Sequence, residues 1–315
     1  MLPYIVMVGV PAILSLYFSQ IQKKFSLKHN CVVDAFFFIW LVLLIFRSIE
    51  VGTDLSTYQY HFNNYARMSW PGIFDKVLKQ GSEFGYIAIV KILSYFTKNF
   101  QWVIGICACI SVIPVWKLYR SQNALGFLSV VLFINIVPFS MYFSGLRQAM
   151  AMAFSIPCYL YCKEKNIKKF LLMILTAMLF HKSAFILLLM YPIYHLRLKK
   201  QWHIVYFLPG IALAYIFKMP LFRFLLMFIG NEYYERYSDG IRATGAYTVL
   251  LLLTVLLVYA FLLPETGKLD SETVGLRNLM VLSVFLQTFA GVHSIAMRMN
   301  YYYLLFIPLL IPRII

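Results

Sequence analysis

The chain alternates between long apolar runs and short polar interruptions along its length. Runs of roughly 16–21 apolar residues, enough or nearly enough to cross a bilayer core, recur through most of it. They predict spans at Leu2–Ile21, Cys31–Phe46, Phe100–Trp116, Ala124–Phe143, Leu146–Cys162, Trp202–Phe217, Tyr247–Leu263, Leu279–Val292 and Ile295–Pro312. Phe170–His181 and Ser183–His195 predict a short hairpin. At 1.5 Å per residue its arms reach only about 18 Å into a core ~30 Å thick, which leaves the tip sunk below the surface. Phe84–Phe96 reads as an amphipathic or re-entrant segment, because a crossing there would invert the charge bias of every later loop. In the long polar stretch after Phe46, Gly52-Thr53-Asp54 predicts a turn and N-cap for a helix from Leu55 to about Met68, ended by Trp70-Pro71-Gly72. Leu55, Tyr58, Phe62 and Tyr65 share one face of that helix, which predicts that it lies along the membrane interface. The pattern describes an all-α, polytopic integral membrane protein with about 10–11 transmembrane helices. Residues 1–315 form one domain in this reading.

Composition agrees. Of 315 residues, 62% are hydrophobic and 13% charged, and the mean hydropathy is +0.76. Such values belong to membrane proteins. A net charge of +16 would suit a nucleic-acid partner, but the basic residues fall in short clusters between apolar runs. The tendency of Lys and Arg to stay on the cytoplasmic side accounts for most of them, and no nucleic acid is expected. Lys23, Lys24 and Lys28, the stretches Lys163–Lys169 and Arg197–Lys200, and Arg313 mark the cytoplasmic side. The first 21 residues lack a basic leader and a small-residue cleavage site, so the first span is expected to be retained. The N-terminus is then outside and the C-terminus inside. The outer loops are about 47–99, 144–147, 181–183, 218–246 and 293–298. All five cysteines fall within predicted spans and read as apolar filler, not disulfides or a metal site.

This topology gathers the less common polar residues on the outer face. Arg47, Glu50, Asp54, Tyr58 and His61 occupy the first outer loop, and Arg147 and Gln148 follow the Tyr142–Phe143 boundary. His181 and Lys182 form the hairpin tip, Arg236, Asp239 and Arg242 lie in the third loop, and His293, Arg298 and Asn300 open the last span. Ser144 is the expected N-cap that puts Arg147 in a first helical turn, and Gly145, Ala149 and Ala153 form a small-residue face for close packing. With Ser144/Arg147, Lys182/Ser183 and Ser294/Arg298, three outer helix starts carry a cation. Helix N-termini already favour anions, so three of them facing one cavity describe a site for a phosphate or pyrophosphate. Taken singly, each has a plainer reading as a snorkelling cation, a cap or a solvated loop charge. There is no Walker A loop, HExxH, GxSxG elbow or closely spaced Asp-x-Asp pair. ATP-driven transport, a zinc enzyme and a metal-held nucleotide sugar are therefore unsupported, and no cofactor is expected.

The residues resemble the EpsG-like, Wzy-type polymerases of bacterial exopolysaccharide, capsule and O-antigen. The resemblance runs through R-x4-G-T-D-x3-Y (Arg47, Gly52, Thr53, Asp54, Tyr58), S-E-F-G-Y at Ser82–Tyr86 and S-G-L-R-Q-A-x-A at Ser144–Ala151. It continues with F-H-K-S-A at Phe180–Ala184 and Arg298 before an aromatic run. It implies a GT-C-like glycosyltransferase of the bacterial cytoplasmic membrane with its site facing the exterior. The substrates would be undecaprenyl-pyrophosphate-linked oligosaccharides, one as donor and one as acceptor, with a flippase and a chain-length regulator as protein partners. Arg47, Arg147 and Arg298 are expected on the pyrophosphate, joined by Tyr58, Gln148, Lys182, Arg236 and Arg242 in binding substrate. Asp54, Glu50 and His181 are the candidate bases. A flippase or exporter of lipid-linked sugars, a ligase acting from the same carrier, and an acyltransferase using His181 are the alternatives.

Overall fold

The computed structural model describes residues 2–20, 25–122, 125–197, 209–213, 215–220, 224, 246–262, 270–291 and 294–314. Among them there are helices and no strands. The chain divides into two compact units, Met1–Phe185 and Ile186–Ile315.

The first unit is built around two antiparallel helices. Helix α1 (Leu2–Gln20) packs on α2 (Phe25–Ile45), and α2 packs on α6 (Gln101–Arg120). At 1.5 Å per residue the 20 residues of α6 span about 30 Å, a bilayer core. Polar contacts mark both ends of the α2–α6 pair. At one end Gln101 Nε2 donates to the carbonyl of Ile45. At the other, Asp34 accepts from Trp116 Nε1 at 2.7 Å and pairs with Arg120 at 3.5 Å. Between them Phe36, Phe37 and Trp40 pack with Tyr119 and with Phe133 of α7 (Gly126–Ile136). Burial of large aromatic side chains carries much of the packing energy.

The polar stretch after α2 holds two helices where one was expected. α3 (Leu55–Arg67) matches the predicted span to a residue. Asp54 occupies its N-cap position without capping it, because its carboxylate takes the Thr53 hydroxyl at 3.1 Å. Leu55, Tyr58, Phe62 and Tyr65 are buried inside the unit, so their stripe is core and not an interface anchor. Trp70-Pro71-Gly72 opens a new helix, α4 (Trp70–Gln80), whose N-cap Ser69 accepts from the Gly72 amide. Proline in a first turn loses no helical hydrogen bond, which is why it starts this helix. Then comes α5 (Phe84–Leu93), ten residues and too short to cross, as the charge pattern required.

Prolines also divide two spans that read as continuous. Leu146–Cys162 is α9 (Leu146–Ala153) and α10 (Ser155–Lys163), joined at Phe154. Pro157 cannot donate to the Ala153 carbonyl, and its ring would strike it, so the helix restarts. Pro308 does the same between Ser294–Leu304 and Ile307–Ile314 in the second unit. α9 is preceded by the single turn α8 (Met141–Ser144), and Gly145, not Ser144, is its N-cap residue. The Ser144 hydroxyl is used elsewhere, accepting the Thr53 amide at 3.2 Å. Helix α11 (Ile167–Phe180) packs on α5, α9 and α10, and a 3-10 helix, Lys182–Leu189, follows it.

In the second unit the helix Ala246–Leu262 matches the predicted span, whereas the next begins at Ser271, eight residues before Leu279. Asp270 caps it by accepting the Thr273 amide, so the helix takes in residues that read as lying between two spans. Ser283, Gln287 and Asn300 form a buried hydrogen-bonded set between Ser271–Gln287 and Ser294–Leu304. Two described helices, Gln101–Arg120 and Ser271–Ala290, are long and apolar enough to cross a membrane, and six shorter ones are apolar. The span Trp202–Phe217 and the base of the hairpin at 198–200 lie largely outside the described residues.

Gly52 ties the loop after α2 to α8. Its φ is +130°, and a Cβ there would overlap the Phe143 carbonyl oxygen. Gly52→Ala should therefore cost about 1–3 kcal/mol through backbone strain and displacement of Phe143. The thermal unfolding midpoint in detergent measures this; an unchanged midpoint refutes the close approach.

Candidate active site

Four helix starts converge in the first unit. Glu83 immediately precedes α5, Arg147 is the second residue of α9, Tyr58 lies in the first turn of α3, and Lys182 begins the 3-10 helix after His181. Gly85 allows the closest approach. A Cβ on it would lie 3.0 Å from the Leu179 carbonyl oxygen and 3.1 Å from the Phe180 ring, so a side chain here would push α5 and the end of α11 apart by a few tenths of an ångström. The residue after Phe180 is His181, and Glu83 is thereby brought to it.

Glu83 is the centre of the cluster. One carboxylate oxygen takes Arg147 Nη1 at 2.5 Å, and the other meets His181 Nδ1 at 3.1 Å. Its side chain is 7% exposed, that of His181 12% and that of Arg147 35%. Arg147 also lies over the Tyr58 ring, 5.7 Å from its centre, with Nε 3.5 Å from the hydroxyl. Lys182 Nζ lies 2.7 Å from where a Cβ at Gly81 would stand, which puts it beside the loop that leads into Glu83.

The electrostatics follow from this geometry. Burial alone would raise the Glu83 carboxyl, but the hydrogen bond with His181 and the charge of Arg147 outweigh it and hold the group at about 2. Glu83 is thus an acceptor at neutral pH, and the proton between it and His181 resides on Nδ1. In the neutral imidazole the lone pair is then on Nε2. Burial, then the charges of Lys76 and Arg147, lower His61, so that imidazole is neutral at pH 7.

The sequence-derived candidates fall into three groups. Arg147, Tyr58, His181 and Lys182 come together. Arg47 is buried at the end of α2, with Nη1 donating to the Leu44 carbonyl at 2.9 Å, and burial lowers its guanidinium to about 10, still charged at neutral pH. Gln148 is buried in α9. Glu50 and Asp54 are exposed in the loop before α3; the Glu50 amide donates to Ser48 Oγ, the Asp54 carboxylate accepts from the Thr53 hydroxyl, and among the described residues neither carboxylate meets His181. Arg298 is the fifth residue of Ser294–Leu304 in the second unit, half-buried and past the first turn where it was expected. Arg236, Asp239, Arg242 and His293 lie outside the described residues.

Glu83 is the residue that sequence reasoning passed over. The signal was present in S-E-F-G-Y, where a carboxylate abuts an apolar run too short to cross, since an ionisable group at membrane depth is costly to hold there.

The chain is strongly apolar and, among the described residues, all-helical, and it collects buried charge at helix starts. A family model described as the EpsG family matches residues 31–315, and the chain belongs to that family. It is a membrane protein of a polysaccharide-polymerase-like family. No curated protein and no solved structure matches it.

The Glu83 contacts predict a pH dependence. Its carboxyl is held below the usual value of 4.5, so the pair stabilises the fold fully above about pH 4.5 and less as pH falls toward 2. The loss is on the order of 3 kcal/mol. Thermal midpoints measured from pH 7 down to pH 3 should drop in acid, and Glu83→Gln should flatten that limb while lowering the midpoint at neutral pH. An acid limb unchanged in Glu83→Gln would contradict the assignment.

Proposed function

We propose that the protein polymerises lipid-diphosphate-linked oligosaccharide repeat units at the outer face of the bacterial cytoplasmic membrane, within a GT-C-like arrangement of helices. The observation that carries this reading is the Arg147–Glu83–His181 cluster, with Lys182 beside it, in a chain of the EpsG family. A hydroxyl of the acceptor sugar attacks the anomeric carbon of the donor glycan. The new bond is C–O at that carbon, the bond to the diphosphate oxygen breaks, and the hydroxyl proton passes to His181 Nε2. Charge develops on the departing undecaprenyl pyrophosphate, and preorganised cations aimed at it lower the barrier. Arg147 suits that task because its planar fork binds phosphate oxygens in pairs. Lys182 adds a point charge, and no metal is required. Glu50 and Asp54 are not used as the base; the Glu83-oriented imidazole takes that role, as a carboxylate-oriented histidine does in other enzymes. Arg236, Arg242 and Arg298 remain candidates for holding glycan or diphosphate. A flippase and a chain-length regulator are the expected protein partners.

A deletion strain complemented with wild type or Arg147→Ala tests the reading, with glycan and carrier resolved by size. Arg147→Ala should reach the membrane normally and yield single repeat units with no ladder, a loss of at least about 100-fold in polymer. Arg147→Lys should also be poor, because a point charge loses the paired geometry. Long polymer retained in Arg147→Ala would refute the role. Long polymer stranded on the carrier in the deletion strain would indicate a ligase, and single units confined to the cytoplasmic face a flippase.

A further inference from the structure

A cavity of about 610 Å³ lies apart from the Glu83 cluster, between the second half of α6 and the joint of α9 with α10. Its volume is that of a ligand site, roughly 300–1,000 Å³. Among the described residues its walls are apolar except for Lys117 and Ser121, towards the end of α6. Two wall residues are prolines, Pro114 in α6 and Pro157 in α10. Neither has an amide for the carbonyl four residues before it, and those carbonyls belong to Ile110 and Ala153, which also line the cavity. Each ring crowds that carbonyl as well, so neither wall presents the regular ridges that would fill the gap. Both faults open on the same space.

The lining of α6 runs from Ile110 to Ser121, about 17 Å at 1.5 Å per residue, or half of a ~30 Å bilayer core. With the Glu83 cluster at the outer face, α6 descends from Gln101 and its last turn faces the cytoplasm. Arg120 there is paired with Asp34, whereas Lys117 is exposed and forms no ion pair among the described residues. An apolar slot half a bilayer long with an ammonium at its inner mouth is complementary to a lipid of the inner leaflet that carries negative charge. Basic pockets between helices on the cytoplasmic side select anionic headgroups in this way. A prenyl chain reaching down from Arg147 would need no cation at the far end. The deep end of the slot leads back to the cluster. Phe154 lines it and stacks on Phe180, with ring centres 5.3 Å apart and planes at 17°, and the next residue is His181.

We propose that the cavity between α6 and the α9–α10 joint binds one acyl chain of an anionic phospholipid from the cytoplasmic leaflet, with the lipid phosphate on Lys117. The chain's end backs Phe154 and, through it, the Phe180–His181 corner of the site. This rests on the orientation given for the polymerase and uses no step of its reaction.

The test uses the full-length protein in detergent, its thermal unfolding followed against dioleoyl phosphatidylglycerol, dioleoyl phosphatidylcholine and a polyprenyl monophosphate. Phosphatidylglycerol should raise the midpoint, and phosphatidylcholine should do so far less. Lys117→Gln, at an exposed position, should keep the fold and raise the phosphatidylglycerol concentration needed by about fivefold, the worth of one lysine at a membrane surface. Lys117→Arg should restore the response. Ile113→Trp fills the slot from one of its walls and should keep the lipid-free midpoint while removing the response. The proposal is overturned if phosphatidylcholine stabilises as well as phosphatidylglycerol, or if Lys117→Gln changes the concentration needed by less than about twofold. It is also overturned if Ile113→Trp, with its lipid-free midpoint intact, responds to phosphatidylglycerol as the wild type does. Loss of only the polyprenyl response in Ile113→Trp would give the slot to the substrate's tail and overturn it likewise. The polymer assay on Arg147→Ala is independent. A lost ladder without these lipid responses keeps the polymerase alone; a retained ladder with them keeps the lipid site on a protein of other activity.

Discussion

The site depends on a single carboxylate shared by two partners. Glu83 places one oxygen on Arg147 and the other on His181. Removing either partner leaves a buried charge or donor without its match, and such losses exceed the net worth of the pair. The sharing has a chemical result as well. Because the carboxylate stays ionised, it fixes which imidazole nitrogen carries the proton, and it holds the arginine fork beside Tyr58. In the proposed reaction, anion recognition and proton acceptance are thus oriented by the same group.

The surrounding fold explains why three side chains so far apart in sequence can meet within a few ångströms. α11 packs on both α5 and α9, so the end of α11 comes to both helix starts at once. Gly85 removes the one side chain that would hold α5 away. On the neighbouring side, Gly52 and the Thr53–Ser144 hydrogen bond draw the loop after α2 against α8, which sets the entrance of α9 and hence Arg147. The glycine and hydroxyl positions of the sequence motifs are in this sense positional, and the charged ones chemical.

Much of this was legible beforehand. Apolar run lengths gave Ala246–Leu262 to within a residue at each end and located α6 and α11 with one end displaced by about a turn, and the charge bias set Phe84–Phe96 apart from the crossing runs. Misreadings came where one residue type serves two physical ends. Tyr58, Phe62 and Tyr65 suit a membrane interface or a protein core, and only tertiary packing chooses between them. Ser144 has the chemistry of a cap but spends its hydroxyl on Thr53. Pro157 and Pro308 sit in runs whose hydropathy is continuous, so the helix breaks are invisible to a count of apolar residues. That Arg147, His181 and Lys182 lie together was readable because each is a polar group at the edge of an apolar run, whereas Tyr58 was marked only by its motif. Glu83 meets the same criterion, but the expectation of an anion-binding site drew notice to cations. Glu50 and Asp54 were candidate bases as carboxylates of the first outer loop, and the fold leaves them exposed there.

The spacing of the Glu83 contacts bears on how the protein is made. Arg147 is 64 residues downstream of Glu83 and His181 98 residues downstream. At a synthesis rate of about 5–20 residues per second, the carboxylate waits some seconds for its arginine and longer for its histidine. Until then α5 carries an unmatched charge at its leading end and gains little by leaving water. The contacts of the ten-residue segment can therefore be completed only after α9 and α11 have been made, and a limit on the order of assembly lies in the distance between one acid and its two partners.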